Sequence, residues 1–566
     1  MSLFFTSLSI PLLLPFLSLF LLLFSFFIQW KFGRAPKVVN PGPTSHPLLG
    51  CLIAFYKNRR RLLHWYTDML SVSPSKTIIV SRLGARRTIV TANPQNVEYM
   101  LKTNFTNFPK GKPFTEILGD FLGNGIFNAD GDLWYAQRKS VTHLFTTRSL
   151  RDYVDNVLKE DVEKKLLPLL ESAAEEVEGK PLDLQDVLRR LAFDLVCKFS
   201  LGYDPCCLEY HSLDTPHPVL EAFDVASDMC ARRGAAPLSA MWRVKRFFDV
   251  GSERRLREAV SRIHLFINEV VGEKKRKLAM SCSDTGSIDQ STESDDLLSK
   301  MLSDGKEEEV VRDIMISFIM AGRDTTSAAM TWLFYLLSCH RDVENEVVRE
   351  LRLVENEENL SKYESLKELR WLKACICESM RLFPPVAWDS KHATTDDFLP
   401  DGTRVQAGDR VTYFPYGMGR MEGLWGQDQL EFKPERWISK LEEGRIKALK
   451  NVDPYKFPVF QAGPRVCLGR EMAFIQMKYV VAAILKRFRI RPVTPGHPVF
   501  VPLLTAHMAG GFKNSSFLDH GLGTGVGYGI GPVRLEFFRV GTTGHIDQGV
   551  PVPVEVKPSA IEIICQ

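Results

Sequence analysis

The chain has 566 residues, 45% of them hydrophobic and 25% charged, and a formal net charge of +4 from 72 basic and 68 acidic side chains. That composition can bury a sizeable core and excludes a disordered chain, and so balanced a charge gives no ground for a nucleic-acid partner. The 11 cysteines are scattered without zinc-finger spacing, so mostly reduced thiols facing the cytosol are expected.

Ser2 to Trp30 carries no charged side chain and is crowded with Leu and Phe. About 20 apolar residues cross a bilayer. The first basic residues, Lys31, Arg34 and Lys37, follow the run, and positive residues stay cytosolic. A transmembrane anchor is therefore expected over 1–30, with the body of the protein cytosolic; a cleaved signal peptide would want its basic residues first. Pro36, Pro41, Gly42 and Pro43 make 31–43 a stiff hinge.

Thr77 to Ala92 alternates and reads as a strand pair turned near Gly84, followed by helix to about Asn104. Phe105 to Asn128 is rich in Phe, Gly and Pro and is expected to be a long irregular segment. Trp134 and Arg138, four residues apart, share one helix face; taken alone they are a surface cation beside a partly buried aromatic. From Leu150 to about Val270 apolar residues recur at helical spacing, with a loop expected at 231–237. Ser281 to Asp296 reads as a flexible surface linker.

A long helix is expected from Glu307 to His340. At its centre is Ala321-Gly322-Arg323-Asp324-Thr325-Thr326. Ala321, Gly322 and Thr325 fall on one face, where two small residues beside a hydroxyl open a notch. Taken alone, a close helix-packing contact explains the pair equally well. Glu378 and Arg381 stand at i, i+3 on a helix ended by Pro384 and Pro385, and Pro434-Glu435-Arg436-Trp437 follows; such pairs are ordinarily surface ion pairs.

Phe460 to Gly469 reads Phe-Gln-Ala-Gly-Pro-Arg-Val-Cys-Leu-Gly, with helical text after it. A heme-ligating cysteine must be a thiolate. Glycine lets the backbone approach a flat macrocycle, loop amides can donate to the sulfur, and a helix N-terminus favours negative charge. Arg465 is placed to meet an acidic group of a cofactor. The bland alternative is a buried structural cysteine in a turn.

The pattern Phe-x-x-Gly-x-Arg-x-Cys-x-Gly resembles the heme-binding loop of the cytochrome P-450 family, and the four motifs stand in that family's order from about Trp30 to Lys513. The resemblance implies a mainly α fold with small β-sheets, a single large heme domain over 44–513. It implies Cys467 as the iron ligand, with Trp134, Arg138, Lys391, Phe460, Arg465 and Gly469 around the heme and Ala321 and Gly322 in an oxygen groove. Lys391 stands where many relatives carry Arg, and a lysine lacks the planar fork. Asp324 and Thr325 would steer protons. Glu378, Arg381 and Arg436 would form a structural lock. Heme b, O2 and electrons from NADPH through a separate reductase are implied, since the chain has no nucleotide-binding Gly-rich loop of its own.

Asp389–Asp397, Val411–Glu422 and Leu504–Gly511 resemble a plant subfamily that hydroxylates chain ends of fatty acids and of jasmonoyl-isoleucine, nearest to the jasmonoyl-isoleucine 12-hydroxylase branch. The implied substrate is a carboxylate-bearing amphiphile, the implied location the endoplasmic reticulum membrane with one span. Burying the carboxylate unpaired is unfavourable, so Lys110, Lys112, Arg232 and Arg233 are its candidate partners. Phe114, Phe318, Val386, Ala387 and Leu504 are the candidate apolar lining. The alternatives are a fatty-acid omega-hydroxylase, a non-oxidative heme-thiolate enzyme, which would be expected to lose the Asp-Thr pair, and a heme sensor. Asn514 to Gln566 is Gly-rich text outside the resemblance.

Overall fold

The computed structural model describes residues 20–24, 42–175, 182–209, 217–236, 240–284, 296–357, 362–442, 445–490 and 498–511. Eight helices position the site: α1 (Lys112–Leu122), α2 (Gly131–Val141), α3 (Leu184–Leu201), α4 (Pro218–Ala235), α5 (Ser252–Asp284), α6 (Glu308–Cys339), α7 (Arg370–Leu382) and α8 (Arg470–Arg487). The strands are short: β1 (Thr77–Val80), β2 (Thr88–Thr91), β3 (Asp389–His392), β4 (Asp397–Phe398), β5 (Arg404–Val405), β6 (Arg410–Tyr413), β7 (Ile438–Glu442), β8 (Arg445–Leu449), β9 (Phe500–Pro502) and β10 (Ala506–Met508).

The mainly α architecture with small sheets is the one the sequence implied. β1 and β2 form the expected antiparallel pair. β2 then lies parallel to β6, and β3 runs antiparallel on the far side of β6, giving the order β1-β2-β6-β3. β4–β5, β7–β8 and β9–β10 are separate two-stranded ribbons.

Local chemistry sets the helix ends. Asp183 caps α3 by accepting from the amides of Gln185 and Asp186, and Gly202 ends it in the left-handed region at φ 60°, the arrangement expected of an Asx cap and a C-terminal glycine. Glu308 and Glu309 occupy the first turn of α6, where the helix dipole favours acids. With 32 residues, α6 spans about 48 Å at 1.5 Å per residue, long enough to cross the domain. α8 is buried along most of its length, Gln476 and Lys478 included, and the Lys478 ammonium donates to the Leu366 carbonyl at 2.7 Å.

Of three apolar cores, two meet at α6. One joins its C-terminal half to α7 and α8. A second joins its N-terminal half to α1, α3, α4 and α5. The third lies against the four-stranded sheet. Phe145 and Phe199 pack against both of the first two.

Two expectations about loops are corrected. The irregular segment at Phe105–Asn128 contains α1, an 11-residue helix. Phe114, Ile117, Leu118, Phe121 and Leu122 form its apolar stripe, bounded by Gly111 at φ 77° and Gly123 at φ 50°; the flanking glycines and Pro113 obscured the period. The loop at 231–237 is also displaced: α4 continues through Arg232 and Arg233 to Ala235. The expected anchor over 1–30 is described only at Phe20–Phe24, which is helical and exposed. Among the described residues no helix is long and apolar enough to cross a membrane. Most of the 31–43 hinge, residues 285–295 of the linker and the 514–566 tail lie outside the described residues.

Candidate active site

Cys467 stands two residues before the N-cap of α8, Gly469. The Cys467 amide donates to the Phe460 carbonyl at 2.8 Å, which folds the loop back under the sulfur. Gly463 adopts φ 65°, and a Cβ there would lie 2.0 Å from the Leu101 carbonyl oxygen, so only glycine fits. Gln461 sits at φ 62°, an uncommon conformation for a non-glycine residue and one that clusters at functional sites. Gly469, by contrast, has φ −81° and acts through its N–H, which donates to the sulfur.

The sulfur is exposed, yet burial is the leading influence on its thiol and pushes it up, opposed by the Gly469 amide and by Arg138 and Arg470. An atom that is both accessible and enclosed lines an interior hollow. Among the described cysteines Cys206 and Cys339 are also exposed, but neither lies in a glycine-bounded loop at the head of a helix.

Trp134 and Arg138 lie on α2, with Trp134 buried. The Arg465 guanidinium stacks 4.5 Å from the Trp134 ring centroid, while Arg138 donates to the Val466 carbonyl at 2.8 Å. Arg465 donates to Asp130 at 2.7 Å and to the Ala129 carbonyl at 3.0 Å, and its Nε is buried without a hydrogen-bond partner. Burial pulls both guanidiniums below their ordinary range. Asp130, which the sequence reading passed over, also accepts from the amides of Lys110 and Gly111 at 2.9 Å each. It thereby ties the 110–111 segment and the head of α2 to the cysteine loop.

In α6, Ala321, Asp324, Thr325 and Phe318 are half-buried in the middle of an otherwise buried helix. The Thr325 hydroxyl donates to the Ala321 carbonyl at 2.6 Å. A Cβ on Gly322 would come within 2.6 Å of Val196 on α3. Gly322 is therefore required by helix contact, leaving Ala321 and Thr325 as the notch. Phe318 stacks on Phe145 at 6.3 Å.

Glu378 accepts from Arg381 at 2.7 and 2.8 Å, from Arg436 at 3.2 Å, from the Trp437 indole at 2.8 Å and from the Lys433 amide at 3.0 Å. The three predicted residues meet in one buried lock, extended by Trp437.

The predicted cations are placed differently. Lys391 is fully buried and donates to Asp389 at 2.8 Å; burial and the neighbouring Lys110 bring its ammonium down to about 7, against the pull of Asp389. Lys110, proposed for substrate, binds the other oxygen of Asp389 at 2.7 Å. Tyr413 and Gln461 complete that cluster. Arg233 is buried between Glu253 and Asp120, and Arg232 is exposed with Asp228 at 2.9 Å. Lys112 is exposed at the start of α1, with no acid at ion-pair distance among the described residues. Phe114 and Leu504 pack against the α1–α3–α4 core. The Ala506 amide donates to the Pro385 carbonyl at 2.7 Å.

These residues fit a flat, dianionic macrocycle with a central metal. An enclosed thiol with an amide donor supplies the axial ligand, an orphaned Arg465 Nε awaits an acceptor, and a small-residue notch interrupts the helix. A family model described as Cytochrome P450 matches residues 40–505. The chain is 56% identical to Cytochrome P450 94B1 of Arabidopsis thaliana over 497 residues, 87% of this chain and 94% of that protein. It is likewise 56% identical to Cytochrome P450 94B3 of the same plant, over 83% of this chain and 91% of the relative. To Cytochrome P450 94A1 of Vicia sativa it is 43% identical, over 83% and 89%. The chain belongs to the cytochrome P450 family and is a heme-b monooxygenase that takes O2 and receives electrons from a reductase partner.

Proposed function

We propose that this monooxygenase hydroxylates the terminal carbon of a carboxylate-bearing aliphatic substrate, jasmonoyl-isoleucine at C12 ahead of free fatty acids, and so serves hormone turnover. The observation that carries this reading is the text of Asp389–Asp397, Val411–Glu422 and Leu504–Gly511. Two of those stretches adjoin where β3 pairs with β6. Membership of the cytochrome P450 family supports the hydroxylase class of the reaction.

In this reading Cys467 ligates the iron, and Arg465, Arg138 and Trp134 hold the cofactor's carboxylates, with Phe460 and Gly469 shaping the loop. When bound, the heme supplies oxygen activation, favoured by thiolate donation. The chain supplies the rest. Ala321 leaves room at the notch, and Asp324 and Thr325 hold and pass protons there. Phe114, Phe318, Val386, Ala387 and Leu504 exclude water from the aliphatic chain. Lys391 and Lys110 act from behind, through Asp389. NADPH, by way of cytochrome P450 reductase, is the electron source, and the protein is held at the endoplasmic reticulum membrane by residues 1–30.

Of the four candidate cations, Lys112 alone has no acid at ion-pair distance among the described residues, and it takes the substrate carboxylate. Microsomes carrying the protein, reductase and NADPH, given a panel of jasmonoyl-amino acids and fatty acids, test the substrate by product analysis. A 12-hydroxylated jasmonoyl-isoleucine formed with the highest kcat/KM is expected; omega-hydroxylated fatty acids dominating would transfer the assignment. Lys112→Ala is expected to weaken binding of the acid by about 1–3 kcal/mol and to leave its methyl ester unchanged.

A further inference from the structure

One backbone position in the cysteine loop is out of place for its residue. Gln461 stands at φ 62° and ψ −178°, a region that glycine occupies almost alone and that strains any other residue. Such a conformation persists only where the surroundings over-determine it. The Phe460–Gln461 peptide is planar and trans, so its carbonyl and its N–H point to opposite sides. The N–H donates to the Pro458 carbonyl at 3.1 Å, and the carbonyl accepts from the Cys467 N–H at 2.8 Å. The φ of Gln461 therefore sets the angle between its own side chain and the peptide that receives the Cys467 amide.

The side chain shows what holds that angle. Gln461 Nε2 donates to Asp389 Oδ2 at 2.7 Å, and Oε1 accepts from the Tyr413 hydroxyl, which also stands 3.0 Å from Asp389 Oδ2. A carboxylate only accepts, so the donor end of the amide must face Asp389 and its oxygen the hydroxyl. Asp389 on β3 and Tyr413 on β6 are register partners, and both are buried. Asp389 is itself fixed, accepting from Lys110 at 2.7 Å, from Lys391 at 2.8 Å and from the Ser390 amide at 2.8 Å. Burial alone would raise its carboxyl, but the two lysines more than offset that and hold it well below the ordinary carboxylate range. The bond from Gln461 is thus made to a full charge, which strengthens it.

Glycine adopts positive φ freely, and it does so two residues on, at Gly463 with φ 65°. A glutamine at 461 keeps a side chain that the backbone would be easier without, and its bonds to the buried cluster explain why. We propose that Gln461 is a positioning residue for the sulfur: anchored on Asp389 and Tyr413, it holds the Phe460–Gln461 peptide where the Cys467 N–H meets it, and so ties the ligand loop to the β3–β6 pair. This rests on the reading of Cys467 as the iron ligand and adds a residue at a position that the loop pattern leaves open. It also gives Lys110 and Lys391 one task, to keep Asp389 an ionised anchor.

The test uses the full-length enzyme and compares Gln461→Ala, Gln461→Gly, Gln461→Glu, Asp389→Asn and the double variant Asp389→Asn/Gln461→Glu. Three quantities are read. The lifetime of the red-shifted Soret band of the ferrous carbonyl complex reports the axial thiolate. Hydrogen exchange of the 460–469 peptide reports opening of the Cys467 N–H. The urea midpoint reports the fold. Gln461→Ala loses the anchor and keeps the demand on the backbone, whereas Gln461→Gly loses the anchor and removes that demand. The double variant exchanges donor and acceptor across the same contact and keeps one acid beside the two lysines.

Gln461→Ala, Gln461→Gly and Asp389→Asn are expected to shorten the lifetime of the band about tenfold, the scale of losing a ligand's supporting partner, and to speed exchange of the loop. Gln461→Gly is expected to do so at the urea midpoint of the wild type, which a merely structural role would not allow and which covers the case in which Gln461→Ala does not fold. Gln461→Glu sets two carboxylates together and is expected to be the shortest-lived, with the double variant recovering toward wild type. Wild-type lifetime and exchange in Gln461→Gly, a lifetime that falls only in step with the urea midpoint, or a double variant no longer-lived than Gln461→Glu, overturns the proposal. If Cys467→Ala keeps the red-shifted band, it is the reading of the iron ligand that fails.

Discussion

Two charged clusters flank α6, and they differ in completeness. At Glu378 every oxygen is used: two arginines, an indole and a backbone amide converge on one buried carboxylate. Around Arg323 and Asp324 three buried polar atoms make no hydrogen bond among the described residues, although Arg323 Nε and Asp324 Oδ1 stand 3.4 Å apart as an ion pair. A saturated cluster has one arrangement and rigidifies what it joins. An unsaturated one keeps a choice of partners, at a cost in stability that persists where function needs it. The contrast separates residues that hold the cysteine loop from residues that work at the notch, and it applies again at Cys467, whose sulfur is enclosed but open.

The sharpest break in that contrast is at the sulfur. Cys467→Ala is expected to abolish hydroxylation and the red-shifted Soret band of the ferrous carbonyl complex, the mark of an axial thiolate; a retained band would assign the iron to another cysteine. Next comes the saturated cluster. Arg381→Met leaves Glu378 a buried, partly uncompensated charge, and about 3–5 kcal/mol of stability should go with it. Urea unfolding of the holoprotein measures this, and a loss confined to coupling, with stability intact, would place Arg381 among the working residues.

Thr325→Ala should do the opposite. Its hydroxyl bonds only the Ala321 carbonyl of its own helix, so stability changes little, while product per NADPH falls. Unchanged coupling would make Thr325 a packing residue.

A smaller effect is expected at His392. Its Nδ1 donates to the Lys110 carbonyl and its Nε2 is buried without a partner. Burial brings its imidazole down to about 4, below the unfolded value near 6.5. Between those values the unfolded chain binds a proton that the folded one refuses, so stability falls as pH falls through that window. From pH 7 to pH 5 about 2 kcal/mol should be lost. Urea midpoints of wild type and His392→Gln at the two pH values measure it, and equal losses in both would clear His392.

Much of this was legible in the text because the chemistry is local. The cysteine loop, the Ala-Gly-x-Asp-Thr notch and Glu378-x-x-Arg381 are read from a few adjacent residues. What escaped depends on residues far apart in the chain. Lys391 has Asp389 beside it on β3, but only the fold brings Lys110 to the other oxygen of that acid, and Arg233 reads as a free cation until Glu253 and Asp120 are brought to it. Asp224 carries no motif, and only the meeting of α4 with α6 brings it to Arg323. Gly322 belongs to both kinds: the motif identified it, but Val196 explains it. α1 was missed for another reason, since its bounding glycines and Pro113 are the residues that ordinarily mark a loop.

The pairing of β2 with β6 has a consequence for how the protein is made. Thr88 lies beside Arg410 in a parallel register, and nearly all the helices fall between them. At roughly 10 residues per second of synthesis, the β1–β2 hairpin waits on the order of half a minute on the ribosome before its neighbour exists. Through that interval the edge of β2 is unpaired, a template for any other extended chain. Only after β6 arrives can Tyr413 and Asp389 receive Gln461 of the cysteine loop. The cofactor pocket is thus closed by the last fifth of the chain, and the nascent protein must pass most of its synthesis as a sheet half-built and a pocket without its ligand.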